Sequence, residues 1–204
     1  MKLNLGCASQ VPDGWVNVDY ALGARFMKIP FFRAFNRKVK LFNLDWNEKI
    51  HLHDLTKKFP WEDSSVDIIY SSHTLEHFSK EDGRKFLAEC HRVLRKHCII
   101  RIVVPDLHHN VTEYIERLIK ADEFVEKLGV LYVSSDNPIK KQLAPFCQFP
   151  HKCMYDNTRL LEILDELGFE ASTRAAFKSD IADIQLIELE KRTENSVIVE
   201  GQKR

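Results

Sequence analysis

The residues best suited to chemistry stand at a few defined places along the 204-residue chain. Gly6, Cys7 and Ala8 form a small-residue turn after the apolar run at 3–5, and Asp19 ends a second run that starts at Trp15. Asp54, followed by Leu55, ends a third run at 50–55. Ser71, Ser72 and His73 follow a fourth at 66–71, and Asp106 follows the run at 98–104 and Pro105. In an open parallel sheet, ligands bind beyond the carboxyl ends of the strands. A small-residue turn there lets the backbone come close, and an acid after the next strand accepts ribose hydroxyls. Gly6 to Ala8 with Asp19 supply both parts of such a nucleotide-type cleft, and the other polar strand ends belong on the same edge.

Histidines supply the proton chemistry. His73, His77, His108, His109 and His151 are candidates for taking a proton from an oxygen or nitrogen acceptor, since an imidazole titrates near neutrality. Position favours His77, one turn beyond the fourth strand, and His151, in the carboxy-terminal part. For each the alternative is an ordinary surface or hydrogen-bonding histidine. Residues 73–77 also fit H-x-x-E-H, the inverted zinc-protease motif. His73 directly follows a strand, however, so it and His77 need not share a helical face, and no third ligand is identifiable from spacing. Cys147, His151 and Cys153 lack a paired C-x-x-C knuckle. No metal site is therefore expected. A nicotinamide dehydrogenase is disfavoured because G-x-G-x-x-G is absent.

The elements that must position these groups alternate. Strand-like runs at 3–5, 15–18, 50–55, 66–71 and 98–104 are separated by helical patterns. The clearest helix is 79–94, where Ser79 and Asp82 form a capping box ahead of an apolar stripe at Phe86, Leu87, Cys90, Val93 and Leu94. Asp106 can cap a helix carrying Val111, Tyr114, Ile115, Leu118 and Ile119 on one side. Residues 158–167 read as an amphipathic helix stopped by Gly168, and 169–177 and 196–200 as strands. The stretch 179–192 fits helix or strand equally. This alternation predicts an α/β fold with helices on both faces of a mostly parallel sheet.

Thirty basic and thirty acidic side chains cancel, so no global field draws nucleic acid. Five scattered cysteines imply thiols rather than a disulfide framework. No apolar run approaches the roughly 20 residues of a membrane span, and the first strand leaves no room for a leader, so a cytoplasmic chain is expected. The length suits one domain, 1–204. Within it, 20–44 is a basic aromatic insertion, with no acid among its Arg, Lys and Phe residues. That segment reads as a helix packed on the sheet, or as a docking surface for an anionic acceptor, a protein or a lipid surface. Residues 122–155, with Pro138, Pro145 and Pro150, read as a cover over the acceptor site.

Several stretches in order, LNLGCAS with WVNVD, then HDLTKKFPWEDSSVDIIYSSHTLEHFS, then FLAECHRVLRKHCIIRIVVPD, and finally HKCMYD, LGF and NSVIVE, resemble the class I S-adenosylmethionine-dependent methyltransferases, particularly the small type 11 group. The resemblance implies a Rossmann-like fold with an antiparallel C-terminal strand. It also implies S-adenosylmethionine as cofactor and S-adenosylhomocysteine as product. By the same resemblance Gly6, Cys7 and Ala8 pass beneath the methionine part, and Asp19 bonds the ribose. Asp54 and Leu55 sit at the adenine, and Ser71, Ser72 and His73 line the methyl end. Ala8 stands where the family's G-x-G-x-G turn has its second glycine. Arg95 to Cys98 replace a K-P-G-G turn, a structural change. The expected acceptor is a small molecule or glycan-type substrate. The rival reading is a degenerate cofactor-binding module that acts through a partner.

Overall fold

The computed structural model describes residues 1–29, 31–32, 47–132, 144 and 148–204, without the side chain of Met27. The strands are β1 (Lys2–Leu5), β2 (Val16–Asp19), β3 (His51–Leu52), β4 (Val66–Ser72), β5 (Leu94–Pro105), β6 (Phe169–Thr173) and β7 (Ser196–Lys203). They form one sheet in the order β3-β2-β1-β4-β5-β7-β6. β1 pairs parallel with β2 and β4, β2 with β3, and β4 with β5, while β7 runs antiparallel to β5 and β6. Chain order therefore reverses at β1, which puts the switch point between the carboxyl ends of β1 and β4.

The helices are α1 (Leu22–Met27), α2 (Lys80–Val93), α3 (Leu107–Ile115), α4 (Ala121–Lys127), α5 (Asn157–Glu166) and α6 (Glu190–Thr193). Ser79 caps α2 as expected, its hydroxyl accepting from the Asp82 N–H at 3.1 Å and donating to the Asp82 carboxylate at 3.0 Å. The stripe of Phe86, Leu87, Cys90 and Val93 is buried against one sheet face. Leu160 and Leu164 of α5 join the same core. Asp106 caps α3 by accepting from the His108 N–H at 2.8 Å. α3 buries no residue fully, and Tyr114 instead stacks on Phe124 of α4 at 5.1 Å.

Several boundaries differ from the sequence reading. The third strand shrinks from 50–55 to His51–Leu52, because Asp54 accepts from the N–H and hydroxyl of Thr56 and turns the chain. β6 ends at Thr173 rather than near 177, and β7 extends past 200 to Lys203. Residues 179–192 are neither a long helix nor a strand. They hold a 3-10 turn, Ile184–Leu186, and most of the short α6. This segment lays Ile181, Ile184 and Ile187 over Trp15, Tyr70, Val103 and Ile198 on the second sheet face.

Period-2 alternation along β5 explains how that face is held. Ile100, Ile102 and Val104 enter the main core, while Arg101 and Val103 point the other way. Arg101 is wholly buried. Its guanidinium donates to both Glu188 oxygens at 2.9 and 3.0 Å and to Glu200 at 3.1 Å. Its remaining donors reach the carbonyls of Ala175 and Lys178. Every strong donor is matched, as a buried charge requires. Of the insertion 20–44, α1 and the neighbouring described residues are seen, with Arg25 over the Tyr20 ring at 4.8 Å and Phe26 stacked on Phe32. Residues 30 and 33–46, which carry most of the basic aromatic pattern, lie outside the described residues, as do 133–143 and 145–147.

Arg101→Ala leaves two carboxylates buried without their cation and is expected to cost about 3–5 kcal/mol in denaturant unfolding. The exposed Arg95→Ala should cost at most about 1 kcal/mol. Similar losses for both would contradict the role given to Arg101.

Candidate functional site

The turn after β1 is fixed by hydrogen bonds and by contact. The N–H groups of Gly6 and Cys7 both donate to the Val18 carbonyl, at 2.9 and 3.0 Å. The Leu5 carbonyl accepts from the Ser71 hydroxyl at 3.0 Å and the Thr74 hydroxyl at 3.3 Å. Gly6 takes φ +74°, and a Cβ there would lie 1.9 Å from Thr74 Oγ1. Only glycine satisfies both conditions. Ala8 also takes a left-handed φ, +48°, at a residue whose methyl makes that conformation costly.

Asp19 clamps this turn to the next element. One carboxylate oxygen accepts from the Ala8 N–H and the other from the Ala21 N–H, each at 2.8 Å. Each oxygen keeps a second lone pair, so the half-buried carboxylate can still accept from a hydroxyl. Asp54 is half-buried and occupied in its own turn, while Leu55 sends its side chain into the main core. The Cys7 thiol is driven far above its usual range by burial and by the neighbouring Asp19 charge, so it remains a neutral thiol.

Ser71 and Ser72 are buried, and Ser71 is committed to the Leu5 carbonyl. A small crevice between the β1 turn and β4 is lined by Gly6, Cys7, Ser72 and Arg192, among others. Arg192, on α6, donates to the Ser72 carbonyl at 3.2 Å, and its own carbonyl faces His73 Nε2 at 2.8 Å. Its guanidinium gives the crevice a cation suited to a carboxylate. Sequence reading missed it, because α6 is one turn long and residues 179–192 carry no clear period. A larger hollow, about 290 Å³, lies over β6 and β7 beside Glu170, Arg174 and Asp180. Its lining contains none of the strand-end groups.

Beyond β4 the chain makes a 3-10 turn, Leu75–His77, that sends Glu76 inward until its side chain is wholly buried. His73 Nδ1 stands 3.4 Å from Glu76 Oε1 and His151 Nε2 stands 4.0 Å from it. The rings of His77 and His151 are 5.0 Å apart. Backbone bonds bring the distant segment in: the N–H groups of Lys152 and Cys153 donate to the Glu76 carbonyl, and that of His151 to the Gly129 carbonyl. Gly129 is at φ +65°, and a Cβ there would lie 2.8 Å from the His151 ring. Burial holds the His77 imidazole below its usual value, with Glu76 partly opposing the shift, so the ring is neutral at neutral pH. His108 is exposed and His109 faces Glu113 at 3.6 Å, so His77 and His151 are the pair that the fold assembles.

Residues 4–102 match the family model of a methyltransferase domain of type 11. The YcgJ protein of Bacillus subtilis is similar over 100% of this chain and 91% of its own, at 14% identity and a TM-score of 0.53. A SAM-dependent methyltransferase from Methanosarcina mazei is similar over 99% and 91%, at 14% identity and a TM-score of 0.54. Another from Archaeoglobus fulgidus is similar over 99% and 85%, at 15% identity and a TM-score of 0.50. These likenesses establish a shared fold. A sequence comparison with curated proteins gives no match.

Gly6 and Gly14 provide a matched pair for testing the turn. Both have positive φ, but a Cβ on Gly14 meets nothing within 4 Å. Gly14→Ala is expected to cost roughly 1–2 kcal/mol for the left-handed backbone. Gly6→Ala should cost about 1–3 kcal/mol more, from the clash with Thr74. Equal losses in urea unfolding would contradict the close contact.

Proposed function

We propose that the chain is a class I S-adenosylmethionine-dependent methyltransferase, a reading supported by the methyltransferase-domain model that matches residues 4–102, and that it transfers a methyl group from S-adenosylmethionine to a small-molecule or glycan-type acceptor. The observation that carries this reading is the convergence at the switch point of the Gly6 turn, Asp19 and the Arg192 cation. These groups match the parts of that cofactor: backbone approach for the chain atoms, a lone-pair-bearing carboxylate for ribose hydroxyls, and a guanidinium for the methionine carboxylate. Asp54, at the end of the neighbouring segment, is assigned to the adenine side. The cofactor supplies an electrophilic methyl on a sulfonium. The protein's task is to hold the acceptor in line behind that methyl in a dry cleft.

His73, His77 and His151 are assigned to the acceptor. With its ring nitrogen free, a neutral His77 can accept a proton from a hydroxyl or amine as its lone pair attacks. Of residues 122–155, expected as a cover, 133–143 and 145–147 lie outside the described residues, and the described part that sets Leu128 and Gly129 against His151 is proposed to border the acceptor. Glycan-type and other small hydroxyl compounds suit a site whose nearest side chains are imidazoles and a carboxylate rather than a basic surface. No helix among the described residues is long and apolar enough to cross a membrane.

Ala8 favours a second reading. Its left-handed methyl stands in the turn that must approach the cofactor, as in a module that binds cofactor but no longer turns it over. Binding with no turnover across classes of hydroxyl and amine acceptors would support that alternative.

Titration calorimetry with S-adenosylhomocysteine is expected to show one site per chain. Arg192→Met should weaken binding at least tenfold, the worth of one charge-assisted bond. Asp19→Ala should weaken it similarly and also lower thermal stability, since the clamp on Ala8 and Ala21 is lost. Unchanged affinity in both variants would overturn the assignment.

A further inference from the structure

Glu76 poses an electrostatic problem that the methyl-transfer reading leaves unsolved. Its carboxylate is wholly buried, and neither oxygen has a hydrogen-bond partner among the described residues. A buried carboxylate left this way is costly, by several kcal/mol or more, unless something positive meets it.

The surrounding histidines sharpen the problem. His151 Nδ1 lies 2.7 Å from the Leu128 carbonyl, so that nitrogen carries the proton and Nε2 presents a lone pair toward Glu76. His73 Nε2 is likewise committed to the Arg192 carbonyl at 2.8 Å, which turns the Nδ1 lone pair toward the same carboxylate oxygen. His77 Nδ1 is buried without a partner. Electron pairs thus converge on one point from several directions. A cation placed between these nitrogens and the carboxylate would meet all of them at once.

We propose that Glu76, His77 and His151 bind a divalent, zinc-like metal ion, with His73 standing next to the ligand set. One donor atom from each of the three lies within 4.8 Å of the others. Zinc bonds to nitrogen and oxygen of roughly 2.0–2.2 Å at tetrahedral angles separate donors by about 3.4 Å, so small side-chain movements close the site. Two histidines and one carboxylate are a ligand set for borderline divalent ions, and it leaves a position open for another oxygen. The Leu128 carbonyl on His151 Nδ1 is the outer contact that orients such a ligand. Gly129 provides the clearance that His151 needs. Sequence spacing could not assemble this set, because His151 is far from the H-x-x-E-H stretch along the chain.

The consequence for the acceptor rests on the methyl-transfer reading, whereas the metal site does not. A hydroxyl oxygen in the open position loses its proton to solvent more readily. Its electron pair then forms the bond to the methyl carbon, while the carbon–sulfur pair leaves with sulfur as the thioether. Hydroxyl compounds are therefore the acceptor class that this site selects.

The test uses untagged full-length protein, stripped with chelator and titrated with Zn²⁺ by calorimetry, with S-adenosylhomocysteine binding measured on the same preparation. One saturable zinc per chain is expected. Glu76→Gln and His151→Gln should each weaken it at least tenfold, while the exposed His108→Gln should leave it unchanged. His151→Gln keeps the test open should Glu76→Gln fail to fold. Absence of saturable zinc in a preparation that still binds S-adenosylhomocysteine would overturn the proposal, as would equal zinc affinity in His151→Gln and the unmutated chain. Zinc binding without S-adenosylhomocysteine binding would instead remove the cofactor assignment and leave the metal site standing.

Discussion

The β1 turn and the loop after β4 meet where Gly6 has no room for a side chain, and much of the site depends on that contact. Thr74 fills the space a Cβ would take, and its hydroxyl joins that of Ser71 on the Leu5 carbonyl. The turn that would carry the cofactor is therefore locked to the loop that leads into Glu76 and His77. The two hydroxyl bonds to the Leu5 carbonyl tie the two segments together. A domain that must align donor and acceptor in one line gains directly from such a lock.

A second constraint acts from the opposite sheet face. Residues 174–195 contain little regular structure, so backbone ladders cannot hold them. The buried guanidinium of Arg101 does so instead, gathering Glu188, Glu200 and two carbonyls. The Phe177 N–H on Glu188 and the Asp180 N–H on Glu200 extend the same network. Four residues after Glu188 comes Arg192, whose side chain reaches the crevice beside Gly6 and Cys7. An ionic network of this kind gives positional precision more than net stability. Here what it positions is the guanidinium beside Gly6 and Cys7.

The parts of this arrangement that depend on local rules were legible in the sequence. The apolar run before Gly6, the acid after β2, the Ser79 cap and the stripe of α2 all follow from patterns within a few residues. The alternation of strands and helices then led to the sheet. What escaped depends on contacts between distant segments. Arg101 sits inside a run that otherwise reads as a plain buried strand, and its partners come from beyond residue 174. The bond of Asp54 to Thr56 shortened β3, a local turn that the apolar run concealed. His151 is brought to Glu76 by the backbone bonds that Lys152 and Cys153 donate to the Glu76 carbonyl, which no spacing rule anticipates. The dual hold of Asp19 on Ala8 and Ala21 was also hidden, since the acid was read for ribose alone.

The cofactor cleft at the switch point is tested most directly by backbone amide NMR of the full chain titrated with S-adenosylhomocysteine. Saturable shifts should concentrate at Gly6, Cys7, Ala8, Asp19, Asp54 and Ser72, with the Arg192 side-chain signals moving in step, while the β6–β7 hollow around Glu170 and Ser172 stays still. Shifts confined to that hollow, or no saturable shift in a folded protein, would contradict the cleft.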